Sequence, residues 1–417
     1  MNFTVSLKQD HIVPDATIHL TGSKSESNRA LIIAALSDGL VKIKNLSSAA
    51  DTVTLSNILN SINQNTHINE VNVGPAGTAM RFLTAYLSLK GKPITITGSD
   101  RMKQRPIGTL VNALKSLGAS LSYTENDGFP PVHIDGALDQ QTKEILIRGD
   151  ISSQFLTALL LIASSLPMGI KLEIMDELTS KPYVDMTLSM LKQCGIKHSW
   201  ESDVITITPQ NFTENTLTIE PDWSAASYWY SIVALSENAK ITLPNLKKDS
   251  LQGDSAIADI MDIFGVKTTY LSDGIVIEKI AQEIKPQLIN FKECPDLAQT
   301  VVVCAALLGK EFSFEGLETL KIKETDRILA LQTELAKIGV KLIETQADVY
   351  QLFCDEMDLP ENITIATYED HRMAMAFAPM ATKIKNVLIE EAMVVEKSYP
   401  LFWEDLKKLG FDVSSKT

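Results

Sequence analysis

A chain of 417 residues that is 45% hydrophobic and 22% charged is long enough for two full-sized cores, and its longest apolar stretch, Phe155 to Leu166, is broken by Thr157, Ser164 and Ser165. That stretch falls short of the roughly 20 apolar residues needed to cross a bilayer, so no membrane partner is expected. A net charge of −14 without any run of Lys and Arg argues against a nucleic-acid partner and directs attention to local clusters of cations that small anions would seek.

The opening MNFTVSLKQD has no basic segment leading into an apolar one and no Arg- and Ser-rich amphipathic stretch, so no signal or transit peptide is expected and the location is expected to be cytoplasmic. The first helical pattern follows in TGSKSESNRALIIAALSDG, small-residue-rich and apolar nearly all round, with Lys24, Ser25 and Arg29 in its first turns. Ser25 and Arg29, at i and i+4, share one face. VGPAGTAMRFL begins a second such helix near Ala76, where Gly77 permits close approach of a ligand to the backbone. A strand-like run ITITG and the loop RMKQRPIGTL come next, with Arg105 just before Pro106, and then an amphipathic helix ends in KSLGASLSY at Gly118.

The same order returns along the chain. After the strand EILIRG, the segment RGDISSQFLTALL offers Asp150 or Ser152 as a cap, and Ser152, Ser153 and Gln154 as hydrogen-bonding groups at the start of a third apolar helix. LTSKPYVDMTLSMLKQCG places Ser180 and Tyr183 at the start of an amphipathic helix that ends at Gly195. Apolar helices begin again near Asp222, near Asp296 in CPDLAQT, and near Asp370 in TYEDHRMAMAF, where His371 and Arg372 stand at the entry. Glycine-terminated helices end in DIFGVKTTY at Gly265, AKIGVKLIE at Gly339 and KKLGFDVSS at Gly410. In IKETDRILALQTELAKIG, Lys323, Glu324 and Arg327 are expected in the first helical turn, and EKSYPLF puts Lys397 before the last amphipathic helix.

The five glycines lie 77, 70, 74 and 71 residues apart, and each suits the left-handed position just past a helix. Six fully apolar helices interleaved with one-faced ones imply six α/β units of about 70 residues, each with an inner and an outer helix. Three units per domain is the natural division, with a boundary near Pro221. Cys194, Cys294, Cys304 and Cys354 have no metal-ligand spacing and are expected as buried, reduced thiols.

GSKSESNRAL, AGTAMRFL, RMKQRPIG, SSQFLTALL, SKPYVDMT, KETDRI, DHRMAMAF and EKSYP resemble, in order and spacing, the signatures of the 5-enolpyruvylshikimate-3-phosphate synthase family, over the whole chain. The resemblance implies two inside-out α/β barrel domains, each of three βαβαββ units, with substrates bound in the cleft between them. One domain would comprise residues 1–20 plus 223–417 and carry the N-terminal strand; the other would comprise residues 21–222. It implies transfer of the enolpyruvyl group of phosphoenolpyruvate to the 5-hydroxyl of shikimate 3-phosphate, with release of phosphate, in a monomer.

Carried over by residue, Lys24, Ser25, Arg29, Ser152, Ser153, Gln154, Ser180, Tyr183, Asp296, Thr319 and Lys323 resemble the family's contacts to shikimate 3-phosphate. Lys24, Gly77, Arg105, Gln154, Arg327, Arg372 and Lys397 resemble the contacts to phosphoenolpyruvate. Asp296 and Glu324 resemble the catalytic carboxylates, with Lys24 beside both substrates and His371 as a supporting donor. Two positions depart from the common pattern: Pro75 and Thr319 stand where many members carry Asn. Pro75 lacks both a side-chain amide and a backbone N–H, and Thr319 keeps one hydrogen-bonding group of two.

Together the substrates carry roughly six negative charges near neutral pH. Lys24, Arg29, Arg105, Lys323, Arg327, Arg372 and Lys397 could answer them without a metal or cofactor. The expected chemistry is addition followed by elimination, with Asp296 taking the hydroxyl proton and Glu324 protonating the methylene carbon. Lys323 and Arg327 beside Glu324 favour its ionised form, so bound substrate charge and loss of water are expected to restore its proton. Two alternatives share the architecture: an enolpyruvyl transferase acting on UDP-N-acetylglucosamine, whose loop cysteine has no evident counterpart here, and a non-catalytic anion-binding protein.

Overall fold

The computed structural model describes residues 1–8, 15–64 and 68–416. The chain divides into two compact units, one formed by Met1–Thr21 with Glu220–Thr417 and the other by Gly22–Ile219. Each unit holds three sheets and three inner helices that pack on one another.

One repeat shows the construction of the rest. Strand Glu70–Asn72 runs into the inner helix Gly77–Lys90 and then into strand Ile94–Thr97, which lies parallel to the first. The outer helix Gly108–Leu117 follows, and a hairpin of Leu121–Tyr123 and Val132–Ile134 pairs antiparallel with Ile94–Thr97. A parallel pair needs a crossover helix and an antiparallel pair only a turn, so βαβαββ is the order that closes such a mixed sheet. Strands Glu144–Arg148, Ile170–Met175, Val204–Ile207 and Ser199–Glu201 repeat the pattern, as do Leu288–Asn290, Ser313–Glu315, Val349–Phe353 and Lys341–Gln346.

The chain departs from the simple repeat where it passes between units. Strand Asp15–Thr17 precedes the inner helix Lys24–Leu36, yet it pairs with Lys240–Pro244 of its own unit. Strand Asn215–Thr218 precedes the inner helix Trp223–Leu235, yet it pairs with Val41–Lys44. The two leading strands are thus exchanged. The sixth repeat is completed from the other end of the chain: Asn2–Leu7 pairs with both Asn386–Ile389 and Phe411–Lys416.

Burial follows the two helix types. Every residue of Ala298–Leu307 and His371–Phe377 is buried, as is every residue of Trp223–Leu235 except Ser224, whereas the outer helix Lys181–Gln193 buries only one face. Four inner helices begin with a side chain that accepts from their own first turn: Ser23 from the Glu26 amide, Ser152 from Gln154, Asp222 from Ala225 and Asp370 from Arg372. Of the two candidate caps near Gln154, Ser152 takes the role, while Asp150 pairs with Arg148. Cys194, Cys294 and Cys304 are buried, and Cys354 is partly exposed, so the expectation of burial fails at that one thiol.

All five repeat glycines adopt positive φ. Gly339 has φ 71°, and a Cβ there would fall 2.0 Å from the Glu356 carbonyl oxygen. Gly339→Ala is therefore expected to cost at least about 1–2 kcal/mol, read as a lower urea midpoint with an unchanged slope, because strain and a backbone clash add.

Candidate active site

In the unit that contains Glu220–Thr417, the starts of the inner helices converge on one buried guanidinium. Arg327 donates from Nε to Asp370 Oδ2 at 2.7 Å, from Nη1 to Asp296 Oδ1 at 3.1 Å and from Nη2 to Glu324 Oε2 at 2.9 Å. Burial works against its charge, but the carboxylates of Asp370, Glu324 and Asp296 outweigh that penalty, and its pKa stands above the ordinary arginine value. Two more cations close the ring. Arg372 Nη2 donates to Asp296 Oδ2 at 2.7 Å, and Lys397 Nζ donates to Glu324 Oε1 at 2.7 Å. Asp296 and Glu324 are thus each held by two cations, 25% and 14% exposed at their side chains, while Arg327 is 2% exposed.

Arg372 also reaches Tyr228 Oη at 3.4 Å and Ser224 Oγ at 3.5 Å. Burial pushes the Tyr228 phenol up to about 12, so it stays neutral at working pH. His371 is buried beside the same carboxylates, with Nδ1 3.5 Å from Asp370 Oδ1. Lys323 and Glu324 do not lie in the first turn of a helix as the sequence pattern suggests. The helix begins at Arg327 because Asp326 caps it, accepting from the Ile328 and Leu329 amides at 3.1 Å each, and Lys323 and Glu324 directly follow a 3-10 turn, Glu318–Ile322. Thr319 lies in that turn.

The unit formed by Gly22–Ile219 carries a second set. Arg29, on the inner helix Lys24–Leu36, donates to the Ser25 and Tyr183 carbonyls at 2.8 and 3.1 Å and to the Thr187 and Thr157 hydroxyls at 2.8 and 3.4 Å. Burial lowers its pKa to about 10, which leaves it charged near neutral pH. Lys24 Nζ lies 3.5 Å from Asp51 Oδ2. The Arg105 guanidinium covers Gly77, where an added Cβ would sit 2.7 Å from Nη1, so only glycine leaves this side chain in place. Arg81 fixes the approach by donating to the Gly77 and Pro106 carbonyls at 3.2 and 2.8 Å.

Ser152 and Ser153 stand at the start of the helix that holds Thr157, with Gln154 in its first turn. Ser180 stands at φ 56° before the helix Lys181–Gln193 and makes no side-chain cap. Asp51, Arg81, Thr157, Thr187, Ser224, Tyr228 and Asp370 escaped the sequence reading as site residues. Asp370 showed itself only as a helix start; its pairing with Arg327 spans 43 residues and has no local signature. Among the described residues no group of three or more His, Cys, Asp or Glu could hold a metal ion, and no helix is long and apolar enough to cross a membrane. Burial pushes the thiols of Cys194 and Cys354 up to about 11 and Cys304 to about 12, so none of these supplies a thiolate near neutral pH.

Residues 14–406 match the family described as EPSP synthase (3-phosphoshikimate 1-carboxyvinyltransferase). The chain belongs to that family. It is 46% identical over 399 residues to the 3-phosphoshikimate 1-carboxyvinyltransferase of Bacteroides fragilis, with 95% of this chain and 96% of that protein covered. It is 35% identical over 428 residues to the enzyme of the same name from Histophilus somni, at the same coverage of each. Its fold is similar to that of EPSP synthase from Acinetobacter baumannii, with a TM-score of 0.76, 19% identity and both chains wholly covered. The enolpyruvyl transferase NikO from Streptomyces tendae gives a TM-score of 0.73 at 14% identity, covering 100% of this chain and 99% of that one.

Asp370 is the buried partner of a buried cation in this family member, and removing it leaves Arg327 under-compensated. Asp370→Ala is expected to lower stability by about 3 kcal/mol, measured by urea unfolding, because the desolvation cost of the guanidinium persists while its closest partner is lost.

Proposed function

We propose that this protein transfers the enolpyruvyl group of phosphoenolpyruvate to the 5-hydroxyl of shikimate 3-phosphate and releases phosphate. The observation that carries the reading is the ring in which Asp296 and Glu324 are each held by two of Arg327, Arg372 and Lys397. Acid and base sit side by side among cations suited to the phosphate and carboxylate of one small anion. Family membership adds the reaction class, and the relatives' names add the acceptor.

In the mechanism that follows, Arg327, Arg372 and Lys397 bind phosphoenolpyruvate, together with Lys24, Gly77, Arg105 and Gln154. Ser25, Arg29, Ser152, Ser153, Ser180, Tyr183, Thr319 and Lys323 bind shikimate 3-phosphate, again with Lys24 and Gln154. An incoming anion replaces the carboxylates as the partner of Arg327, Arg372 and Lys397. Asp296 is thereby freed to take the proton of the attacking hydroxyl. Glu324, once its two cations turn to the substrate, can hold the proton that passes to C3 of phosphoenolpyruvate. The resulting tetrahedral adduct breaks its C–O bond to phosphate, which leaves with the proton held by Asp296, and C3 returns its proton to Glu324 as the enol ether forms. His371 supports the ring as a neighbour of Asp370. The working form is a cytoplasmic monomer.

The decisive assay is phosphate release from phosphoenolpyruvate with shikimate 3-phosphate or UDP-N-acetylglucosamine as acceptor. Turnover with the first alone is expected; turnover with the second alone, or with neither, refutes the reading. Glu324→Gln is expected to lower kcat by about 10² or more, consistent with the loss of a positioned proton donor. Near-normal turnover would remove Glu324 from its role. Glyphosate is expected to compete with phosphoenolpyruvate at the Gly77 site, and unchanged activity at high millimolar inhibitor would contradict that placement.

A further inference from the structure

Behind Arg372 lies a carboxylate that the reaction scheme does not use. Asp254, in the 3-10 turn Gly253–Ala256, is 1% exposed. Its Oδ2 accepts a short hydrogen bond from Ser224 Oγ. Ser224 in turn lies 3.5 Å from Arg372 Nη2, and that same nitrogen donates to Asp296 Oδ2 at 2.7 Å. The four side chains form a line from the interior to the proposed base: Asp254, Ser224, Arg372, Asp296.

The turn that carries Asp254 is tied down by bonds of Gln252. That side chain accepts from the Trp223 amide at 2.9 Å and donates to the Pro221 carbonyl at 2.8 Å, which ties the turn to the start of the helix Trp223–Leu235. The Gln252 amide is bound in addition by Ser250 Oγ at 3.0 Å. Burying a negative charge at such a position costs free energy. Around it stand Asp296 and Cys294 from the loop before the helix Ala298–Leu307, Arg372 from the helix His371–Phe377, and Asp222 and Ser224 from the start of Trp223–Leu235.

A hydroxyl has one proton and two lone pairs. While Asp254 takes the Ser224 proton, the Ser224 oxygen can only accept from Arg372, and the guanidinium plane is fixed against both Ser224 and Asp296. We propose that Asp254 is a positioning residue that, through Ser224, holds Arg372 in the orientation in which it receives phosphoenolpyruvate. This inference rests on the reading of Arg372 as a phosphoenolpyruvate ligand.

Burial, reinforced by the Asp296 charge and opposed by Arg372, raises the Asp254 pKa to about 6. A protonated Asp254 becomes a donor to Ser224, whose own proton then turns toward Arg372 and repels it. The orienting bond is therefore present above about pH 6 and lost below it. Stability runs the opposite way: a carboxyl whose folded pKa is raised stabilises the fold below its unfolded value, and that contribution is lost as pH rises through about 6. An isosteric neutral side chain should leave the protein at least as stable at pH 8 while loosening the hold on Arg372.

The test uses Asp254→Asn and Ser224→Ala in the whole protein, with melting temperature at pH 8, KM for each substrate between pH 5 and 8.5, and equilibrium dialysis of radiolabelled phosphoenolpyruvate. Asp254→Asn is expected to melt no lower than wild type, to raise KM for phosphoenolpyruvate about tenfold at pH 8, and to keep KM for shikimate 3-phosphate within about twofold, the tenfold matching one unit of linked protonation. The rise in wild-type KM for phosphoenolpyruvate below about pH 6 should be absent from Asp254→Asn, and Ser224→Ala should reproduce its raised KM. Equal rises in both KM values, an unchanged profile, or tighter phosphoenolpyruvate binding from removal of the negative charge would each overturn the inference. If wild type releases no phosphate, the reaction assignment falls, and dialysis then decides the positioning role: binding about tenfold weaker in both variants supports it, and equal binding overturns it.

Discussion

The site turns on one guanidinium taken out of water. Arg327 brings Asp370, Glu324 and Asp296 to a common point, and these pass the arrangement to Lys397 and Arg372. An ion cluster of this kind is a poor way to stabilise a fold, since each buried charge carries a desolvation cost of several kcal/mol that well-packed apolar groups would not incur. Its value lies in fixing geometry. A planar fork with three partners leaves neither the acid nor the base free to choose another rotamer. Lysine would supply the charge without the plane.

A second constraint is electrostatic. A chain of net charge −14 repels anions at a distance, yet its proposed substrates are among the most highly charged small metabolites. Lys24, Arg327 and Arg372 are held at helix starts, where backbone N–H groups and the helix dipole act in the same direction. Without substrate, the ring in the Glu220–Thr417 unit uses carboxylates as internal counterions. Under the proposed function, ligand binding is an exchange of partners that releases Asp296 and Glu324 for proton transfer.

The repeat made much of the fold legible. Regularly spaced glycines and helices apolar on every side disclosed the α/β units, since both follow from local requirements: a left-handed residue past a helix, and no polar face to expose. The exchange of Asp15–Thr17 with Asn215–Thr218 was not legible, because each strand reads identically whichever parallel partner it takes. Among site residues, motif positions such as Gly77, Arg105, Glu324 and Arg372 stood out. Asp51, Asp254 and Ser224 did not, because nothing in a short aspartate or serine distinguishes a cap or turn from a partner that the fold brings in across dozens of residues. The misplaced helix start at Lys323 has the same root: Asp326, one residue among several polar ones, decides where the helix begins.

The proposed mechanism depends on Arg372 and Lys397 gripping the same phosphoenolpyruvate. A double-mutant cycle on kcat/KM for phosphoenolpyruvate tests it directly, using Arg372→Lys, which keeps the charge and loses the fork, and Lys397→Gln, which removes the charge. Shared engagement of one ligand predicts a loss in each single variant and a coupling above about 0.5 kcal/mol between them. Losses that add to within about 0.3 kcal/mol, or an Arg372→Lys variant indistinguishable from wild type, would contradict it.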